Sequence, residues 1–264
     1  MKRSLNNSRI LLTGASSGIG AALAFELAKE NANLVLLARR ENRLQEVVER
    51  IRNKFGNTPK IITVVGDITN SEIRRLAVQT VTEQLGGLDI LINNAGAGAT
   101  ALIEATTGET LRRIFEVNFF APVELTQLAL PYLKLGNKPM VVNLSSIVGL
   151  RGAPHYGAYG AAKFAVSGIS ETMRAEFSHD GIDVLLVCPG TTQTEFFDVL
   201  YQSSSAPNMP VHHAVTSEYV ANRIVWAMKK GKHKIIPYFQ AVILDYLNRF
   251  VPQFTDWIMT KYVK

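Results

Sequence analysis

The sequence of 264 residues is poor in cysteine, in long apolar runs and in clustered charge. Its single cysteine, Cys188, excludes a disulfide framework and a multi-cysteine metal site, and it suits a reducing compartment. The sequence has no run of about 18 apolar residues, the length that a membrane span requires. The first apolar stretch, at residues 10–12, is too short for the core of a signal peptide. These absences predict a cytoplasmic protein that holds no metal.

The net charge is modestly positive, with 28 Lys and Arg against 22 Asp and Glu, or +6. Such a surplus favours a phosphate-bearing ligand. Nucleic-acid binding requires a clustered basic stripe, which the sequence lacks, so no nucleic-acid partner is expected. A content of 47% hydrophobic and 19% charged residues is typical of a globular protein and excludes a disordered chain.

Apolar runs alternate with longer helical patterns along the whole chain. The runs predict strands at residues 10–13, 34–38, 61–65, 90–93, 140–144, 184–188 and 234–236. The helical patterns lie at residues 19–30, 41–55, 71–85, 111–133, 156–179 and 217–229. Because most runs are continuously apolar, they indicate parallel strands that are buried on both faces. The sequence therefore predicts an α/β protein of Rossmann type, with a doubly wound, mostly parallel seven-stranded sheet and helices on both faces.

A glycine-rich turn joins the first predicted strand to the first predicted helix. Residues 13–20 read TGASSGIG. Glycines allow the backbone to approach a pyrophosphate, and the following helix N-terminus offers free N–H groups and a favourable dipole. An ordinary strand–helix connection is the alternative, since turns need glycine for their own geometry. The position after the first strand favours phosphate binding.

The spacing Gly-xxx-Gly-x-Gly resembles that of the short-chain dehydrogenase/reductase family, and three further motifs are similar to those of the family. Residues 93–96 read NNAG after the fourth strand, Asp67 follows the third strand, and residues 189–194 read PGTTQT after the sixth. The resemblance covers roughly residues 8–237, and no linker divides the chain. We therefore expect one domain over residues 1–264, with that core and an amphipathic extension over 238–264.

The end of the second strand predicts which nicotinamide cofactor is bound. An NAD enzyme usually carries an acidic residue there, which accepts the ribose hydroxyls. Here Ala38 stands at that position and Arg39 and Arg40 follow. A guanidinium can pair in a bidentate way with a 2′-phosphate. The sequence thus predicts NADP(H), with Arg39 as the main contact and Arg40 or Arg43 as helpers; solvated loop charges are the alternative.

Four residues are similar to the family's Asn-Ser-Tyr-Lys tetrad. Tyr159 and Lys163 lie four apart in a helical pattern, Ser146 ends the fifth strand, and Asn118 lies in the preceding helix. The resemblance implies that Tyr159 transfers the proton and that Ser146 hydrogen-bonds the substrate oxygen. Lys163, together with the charge of oxidised nicotinamide, would lower the pKa of the tyrosine and hold the ribose. Asn118 would anchor a relay water.

Two neighbouring residues are weaker candidates for the same roles. Tyr156 has a glycine, not a lysine, four residues on, and Ser145 does not fit the family spacing that selects Ser146. A chance Tyr-xxx-Lys pair on a solvated helix face is common, but agreement of all four residues with the cofactor motifs is not. The cofactor-binding residues implied by the resemblance are Gly14, Ser16, Ser17, Gly18, Ile19, Gly20, Arg39, Asp67, Ile68, Asn94, Ala95, Gly96, Tyr159, Lys163, Pro189, Gly190, Thr192 and Thr194.

Apolar residues dominate the segment after the Pro-Gly turn, where substrate choice in the family mainly lies. They are Phe196, Phe197, Val199, Leu200, Tyr201, Met209, Pro210 and Val211. An apolar lid predicts a hydrophobic small-molecule carbonyl or alcohol. Packing of the lid itself explains the same residues equally well. The turn-rich stretch 203–210 is a candidate hinge.

The extension carries two amphipathic helical patterns separated by Pro252. One interpretation is packing over the pocket or against a second subunit. The other is peripheral membrane contact, which Trp257 and Tyr262 favour. The resemblance also implies a homodimer or homotetramer that pairs through the helices bearing Asn118 and Tyr159.

The sequence as a whole predicts an NADP(H)-dependent oxidoreductase that reduces a ketone or aldehyde to an alcohol, or catalyses the reverse reaction. The alternative is a non-catalytic, NADP(H)-binding regulatory protein of the same fold. The enzyme is favoured because a regulator has no need to keep Asn118, Ser146, Tyr159 and Lys163 together.

Overall fold

The computed structural model describes residues 3–194, 200–203, 214–261 and 263, and for residues 200–203 it describes the backbone alone. The strands are β1 (Arg9–Thr13), β2 (Asn33–Ala38), β3 (Ile61–Val65), β4 (Ile90–Asn93), β5 (Gly98–Thr100), β6 (Met140–Leu144), β7 (Asp183–Val187), β8 (Thr192–Gln193), β9 (Leu200–Ser203), β10 (Val215–Thr216) and β11 (Lys234–Ile235). The α-helices are α1 (Gly18–Lys29), α2 (Glu41–Phe55), α3 (Ser71–Leu85), α4 (Gly108–Phe115), α5 (Ala121–Leu133), α6 (Gly157–Glu176), α7 (Ser217–Lys229), α8 (Phe239–Phe250) and α9 (Pro252–Thr260).

Seven strands form one sheet in the order β11-β7-β6-β4-β1-β2-β3. Their pairings are parallel; Leu11 of β1, for example, pairs with Val35 of β2 and Leu91 of β4. The strand order reverses between β1 and β4, because the chain first builds outward to β3 and then returns to the other side of β1. Open α/β sheets bind ligands at such a switch point, beyond the carboxyl ends of the strands. The predicted doubly wound sheet is confirmed.

The core lies in two layers, one on each face of the sheet. Ile10 and Leu12 of β1 pack with α1, α2 and α7, whereas Leu11 between them packs with α3 and α5 on the opposite face. All three side chains are fully buried. A strand covered on both faces must be apolar at every position, which is why these strands are continuous apolar runs. Each buried side chain of this size stabilises the fold by about 1.5–3 kcal/mol.

The prediction of one continuous helix over residues 111–133 is wrong. The Thr107 hydroxyl accepts a hydrogen bond from Thr110 N–H at 3.1 Å and starts α4 at Gly108, and a π-helical turn, Glu116–Phe120, separates α4 from α5. Pro122 has no N–H, so the α-helical bond to the carbonyl four residues back, that of Asn118, cannot form. The helix widens at this point, where the N–H of Ala121 donates to the carbonyl of Glu116.

Candidate active site

The glycine-rich turn after β1 lies at the switch point and contacts the end of β4 directly. Gly14 adopts a φ of +67°, a left-handed conformation that favours glycine. The Thr13 hydroxyl accepts hydrogen bonds from the backbone N–H groups of Asn94 and Ala95, each at 3.0 Å. Asn94 Nδ2 in turn donates to the carbonyl of Thr13 at 2.9 Å and to that of Gly14 at 3.1 Å. The two motifs therefore form one joined structure.

The last glycine of the turn brings α1 against the strand end. A Cβ atom on Gly20 would lie 2.1 Å from the Gly14 carbonyl oxygen and 2.5 Å from Asn94 Nδ2, so no larger residue fits. A Cβ on Gly18 would lie 3.0 Å from a methyl group of Thr194. The first turn of α1 carries no acidic residue. This close packing and the half-buried N-terminus of α1 fit the pyrophosphate of a dinucleotide, which needs backbone approach and N–H donors.

Two basic residues lie beside the turn, at the end of β2. Arg39 Nη1 lies 3.5 Å from Asp67 Oδ2 at the end of β3, and both side chains reach solvent. Arg40 Nη2 donates to the Ser17 hydroxyl of the glycine turn at 2.5 Å. Partial burial raises the pKa of Asp67, but hydrogen bonds from Thr69 and the charge of Arg39 outweigh it and hold that pKa below its usual value. Arg39 and Asp67, the two predicted adenosine contacts, therefore lie side by side.

The turn after β7 lies on the other side of the same edge. The Pro189 carbonyl accepts from Ile147 N–H at 2.8 Å, and the Thr192 hydroxyl donates to the Gly190 carbonyl at 3.1 Å. Thr194 approaches Gly18 across the cleft. The sequence-predicted Pro-Gly segment therefore lies between the turn that follows β6 and the N-terminus of α1.

Three of the four candidate catalytic side chains meet beyond β6. A hydrogen bond joins the side chains of Ser146 and Tyr159. Lys163, one helical turn after Tyr159 on α6, is 4% exposed, and its Nζ donates to the Leu144 carbonyl at 2.8 Å. The same Nζ lies 5.6 Å from the centroid of the Tyr159 ring. Ser145 Oγ is turned away and donates to the Lys163 carbonyl at 2.8 Å, so its hydroxyl does not compete with that of Ser146.

Asn118, the fourth candidate, is held in the π-helical turn. Its Nδ2 donates to the carbonyls of Ala97 at 2.8 Å and Ile114 at 2.9 Å, and the residue is 1% exposed. A Cβ on Gly96 would lie 3.0 Å from Asn118 Oδ1 and 3.7 Å from Lys163 Nζ. Gly96 therefore leaves the space in which the asparagine and the lysine approach each other.

Burial controls the titration of the candidate pair. It raises the pKa of the Tyr159 hydroxyl well above its usual value, an effect that the hydrogen bond with Ser146 opposes and neighbouring Tyr156 adds to. Burial lowers the pKa of Lys163 from 10.5 to about 8. The expected lowering of the tyrosine pKa is thus absent from the protein alone, because desolvation of the phenolate outweighs the hydrogen bond with Ser146.

Comparison with known proteins identifies the family. The model of a family described as short chain dehydrogenase matches residues 8–204. The chain is 34% identical over 259 residues to a protein named 11-beta-hydroxysteroid dehydrogenase A from Sesamum indicum, covering 94% of this chain and 73% of that protein. The chain belongs to the short-chain dehydrogenase/reductase family. Its members are oxidoreductases that use a nicotinamide cofactor.

Two solved structures have the same fold as this short-chain dehydrogenase/reductase. One is a family member from Burkholderia phymatum in complex with NAD, with a TM-score of 0.85, 22% identity and 96% of each chain covered. The other is an alcohol dehydrogenase from Thermococcus sibiricus complexed with 5-hydroxy-NADP, with a TM-score of 0.77 and 23% identity, covering 87% of this chain and 95% of that one. At these identities the likeness concerns the fold, and it does not choose between the two cofactors.

A buried amide pair behind the site is missing from the sequence prediction. Asn93 Nδ2 donates to Asn143 Oδ1 at 2.9 Å and to the Thr126 hydroxyl at 3.0 Å, and Asn143 Nδ2 donates to the Ser170 hydroxyl at 2.9 Å. These bonds tie β4, β6, α5 and α6 together just below the site. The available signal was an asparagine near the end of each of two otherwise apolar strands.

The extension forms the two predicted helices, α8 and α9. Their outer face exposes large apolar side chains, including Phe239 (77%), Tyr246 (58%), Phe250 (78%) and Trp257 (54%). Their inner face contacts the loops of the site. The inner-face contacts with Arg151 are polar, and packing of the apolar face over the pocket, against a second subunit or on a membrane stays a prediction.

Part of the predicted lid, residues 196–199 and 209–211, lies outside the described residues. The same holds for residues 204–210 of the candidate hinge and for the side chains of residues 200 and 201. Among the residues that the structure does describe, no group of three or more His, Cys, Asp or Glu side chains is placed to hold a metal ion. Within the same ranges, none of the helices combines the length and apolar character of a membrane span.

Proposed function

We propose that this protein is an NADP(H)-dependent oxidoreductase that interconverts a ketone or aldehyde and the corresponding alcohol. The observation that carries the proposal is the convergence of Ser146, Tyr159 and Lys163 at the carboxyl end of β6, beside the joined glycine turn and Asn94 motif. A regulator that only binds a nucleotide has no use for a buried lysine beside a hydrogen-bonded tyrosine.

The roles of the three side chains follow from their chemistry. The nicotinamide cofactor, when bound, supplies or accepts the hydride. In reduction, the Ser146 hydroxyl donates a hydrogen bond to the substrate oxygen and stabilises the negative charge that develops there. Tyr159 gives its hydroxyl proton to that oxygen, and in alcohol oxidation it takes the proton back. Lys163, with a pKa of about 8, carries a positive charge at neutral pH that favours the phenolate.

The preference for NADP(H) rests on the end of β2. Ala38 leaves that position without a carboxylate, and the guanidinium of Arg39 stands beside Asp67 at the predicted adenosine contact. Arg40, hydrogen-bonded to Ser17, adds a second positive charge next to the glycine turn. A 2′-phosphate placed here would meet two guanidinium groups, each able to make charge-assisted hydrogen bonds.

The substrate proposed is a hydrophobic small molecule such as a steroid-like, lipid or aryl ketone. The apolar composition of residues 196–211 supports it. So does the relative from Sesamum indicum, whose name gives a hydroxysteroid as its substrate.

A homodimer or homotetramer is proposed on the basis of the outward faces of α5 and α6. Large apolar side chains are exposed there, among them Leu128 (37%), Tyr132 (42%) and Phe164 (44%). Pairing through this face would cover them. It would also place the helix that carries Tyr159 and Lys163 at the subunit interface.

Replacing Tyr159 with Phe tests the catalytic proposal. The variant keeps the ring and removes the transferable proton, so carbonyl reduction should fall at least about 100-fold. The measurement is NADPH consumption with a panel of an aryl ketone, a steroid ketone and a long-chain aldehyde. Tyr156→Phe is the matched control and should retain most of the rate. Reduction by Tyr159→Phe at the parental rate would refute the mechanism, and NADPH binding without turnover by the parent would favour the regulator.

A further inference from the structure

The C-terminal segment, described at residues 238–261 and 263, contacts three loops of the candidate active site. Its Tyr238 ring packs so closely on Gly190 that a Cβ there would lie 2.7 Å from the ring. The Val263 carbonyl lies 3.4 Å from His155 Nε2, just before α6. Arg151, which follows the turn after Ser146, contacts both C-terminal helices. The third contact is the most extensive.

Arg151 bridges α8 and α9 with one guanidinium group. Its Nη1 donates to Asn248 Oδ1 at 2.8 Å, and its Nη2 pairs with Asp256. Asn248 Nδ2 donates back to the Leu150 carbonyl at 3.4 Å, and the Thr255 hydroxyl also donates to Asn248 Oδ1, at 3.3 Å. The arginine and the backbone next to it are therefore tied to the C-terminal helices by several bonds.

The environment of Arg151 is costly for an arginine. Its side chain is only 16% exposed, and within the described part of the chain the buried Nε has no hydrogen-bond partner. Leaving a buried donor unpaired costs about 1–3 kcal/mol. Asp256 is 67% exposed, so solvent screens its pairing with the guanidinium. Stability alone gives little reason to place an arginine here, and its connection to the catalytic serine supplies one.

A short path of hydrogen bonds from backbone N–H groups connects Arg151 to Ser146. The Leu150 N–H closes the turn Ile147–Gly149 by donating to the Ile147 carbonyl at 2.9 Å, and the N–H of Arg151 donates to the same carbonyl at 3.1 Å. Within that turn Val148 N–H donates to the Ser146 hydroxyl oxygen at 3.3 Å. Ile147 N–H is held by the Pro189 carbonyl at 2.8 Å. The turn that orients the serine is therefore fixed by Pro189 on one side and by Arg151 on the other.

We propose that Arg151 is a positioning residue, which orients the Ser146 hydroxyl by anchoring its turn to the C-terminal helices. The inference rests on the proposed function, in which that hydroxyl holds the substrate oxygen. It makes α8 and α9 part of the catalytic apparatus, although neither helix supplies a catalytic group. A misorientation of well under 1 Å at the serine is enough to slow the reaction severalfold.

A double-mutant cycle tests the inference. Arg151→Met keeps most of the side-chain volume and removes the hydrogen bonds. We expect it to lower kcat about tenfold for the panel carbonyl with the highest turnover, with the KM for NADPH changed less than about twofold. Ser146→Ala alone should lower kcat about 100-fold. In the Ser146→Ala background, Arg151→Met should have an effect below about twofold, because the group on which it acts is gone.

Two further variants separate positioning from general stability. Arg174→Met is the matched control. Among the residues described, Arg174 on α6 also has a buried Nε without a hydrogen-bond partner, and its Nη2 donates to the His233 carbonyl at 3.3 Å. It should leave kcat within about twofold of the parent. Asp256→Asn changes an exposed side chain, keeps the fold, and should reduce kcat about threefold, again only when Ser146 is present.

The outcomes distinguish this inference from the proposed function. Equal loss of kcat on Arg151→Met in both backgrounds, or no loss in either, overturns the positioning role and leaves the proposed function intact. A Ser146→Ala variant as active as the parent overturns the proposed role of the serine, and the inference with it.

Discussion

Lys163 is a basic side chain held almost entirely out of water, with 4% of its surface exposed. Burial lowers its pKa from 10.5 to about 8, which corresponds to about 3 kcal/mol against the charged form. The folded protein tolerates this cost at neutral pH. A lysine placed for packing alone would gain nothing from such a position, so the cost itself supports a catalytic role.

Lys163→Met should therefore be at least as stable as the parent at pH 7. The folded pKa lies below the unfolded one, so the penalty of the charge is complete below pH 8 and is relieved as the pH rises to 10.5. Loss of the hydrogen bond to the Leu144 carbonyl opposes the gain by about 1–3 kcal/mol.

Urea unfolding of parent and variant between pH 7 and 10 measures the effect. The difference in free energy of unfolding, variant minus parent, should fall by up to about 3 kcal/mol above pH 8. Other titrating groups are common to both proteins and cancel in the difference. A difference that is constant over this range would contradict a lowered pKa at Lys163.

Arg39→Asp should reverse the preference between NADPH and NADH. The substitution removes a guanidinium that would pair with the 2′-phosphate, a bond worth about 1.5–3 kcal/mol or roughly 10–100-fold in affinity. It also supplies an acceptor for the ribose hydroxyls of NAD. The ratio of kcat/KM for the two cofactors is the measurement. Arg75→Asp on α3 is the control, because its side chain is 58% exposed against 56% for Arg39; an unchanged ratio in Arg39→Asp would refute the assignment.

At the scale of elements, the interrupted helix shows how one residue type changes a site. Pro122 prevents the α-helical bond to the Asn118 carbonyl, and the chain forms a π-helical turn instead. The apolar pattern over residues 111–133 is helical throughout, so periodicity alone predicts one helix. The proline was visible in the sequence, but its effect depends on neighbouring helices that hold the widened turn in place.

The contact between α1 and β1 predicts the effect of added bulk at Gly20. Gly20→Ala would place a Cβ 2.1 Å from the Gly14 carbonyl oxygen, so the helix must shift, at a cost of about 1–3 kcal/mol. Thermal unfolding should show a lower Tm, and titration calorimetry should show at least tenfold weaker NADPH binding.

Ala21→Gly on the same helix is the control for that substitution. It lowers the free energy of unfolding by about 0.5–1 kcal/mol without adding bulk, and it should leave the affinity for NADPH nearly unchanged. Equal NADPH affinity in Gly20→Ala and the parent would show that the close approach of α1 is not needed for binding.

At the scale of the whole molecule, two exposed apolar faces among the described residues need different explanations. One is the outer face of α5 and α6 with Phe164, and the other is the outer face of α8 and α9 with Phe250. Exposed patches of this kind usually mark contact surfaces. The first face belongs to α6, which carries Tyr159 and Lys163, and to α5, which follows the π-helical turn with Asn118. The proposed subunit contact is assigned to it for that reason.

Phe164→Glu should dissociate the assembly, because it buries a charge in the proposed interface. Light scattering after size exclusion should give a multiple of 29.1 kDa for the parent and 29.1 kDa for the variant. The side chain of Phe250 is 78% exposed on the other face, and Phe250→Glu should leave the mass of the assembly unchanged. If Phe250→Glu dissociates the assembly and Phe164→Glu does not, the subunit interface lies at the C-terminal helices. If the parent and Phe164→Glu float with lipid vesicles and Phe250→Glu does not, membrane contact of the C-terminal helices is favoured.

The sequence by itself determined the order along the chain of the seven strands of the main sheet, the glycine turn and the spacing of Tyr159 and Lys163. These features are local: continuous apolar runs define buried parallel strands, and a four-residue spacing places two side chains on one helix face. The roles assigned to the four candidate catalytic residues stay predictions until they are tested.

Only the tertiary structure decided which side chains meet across the chain. Asn248 and Asp256 lie 97 and 105 residues from Arg151, and Asn143 lies 50 residues from Asn93. No periodicity links such pairs, because their approach depends on how the strands order in the sheet and where the last helices dock. The family spacing selects Ser146 over Ser145 from the sequence, and the tertiary structure adds where the other hydroxyl lies: Ser145 Oγ donates to the Lys163 carbonyl of α6, a contact that the neighbouring residues in the sequence do not encode.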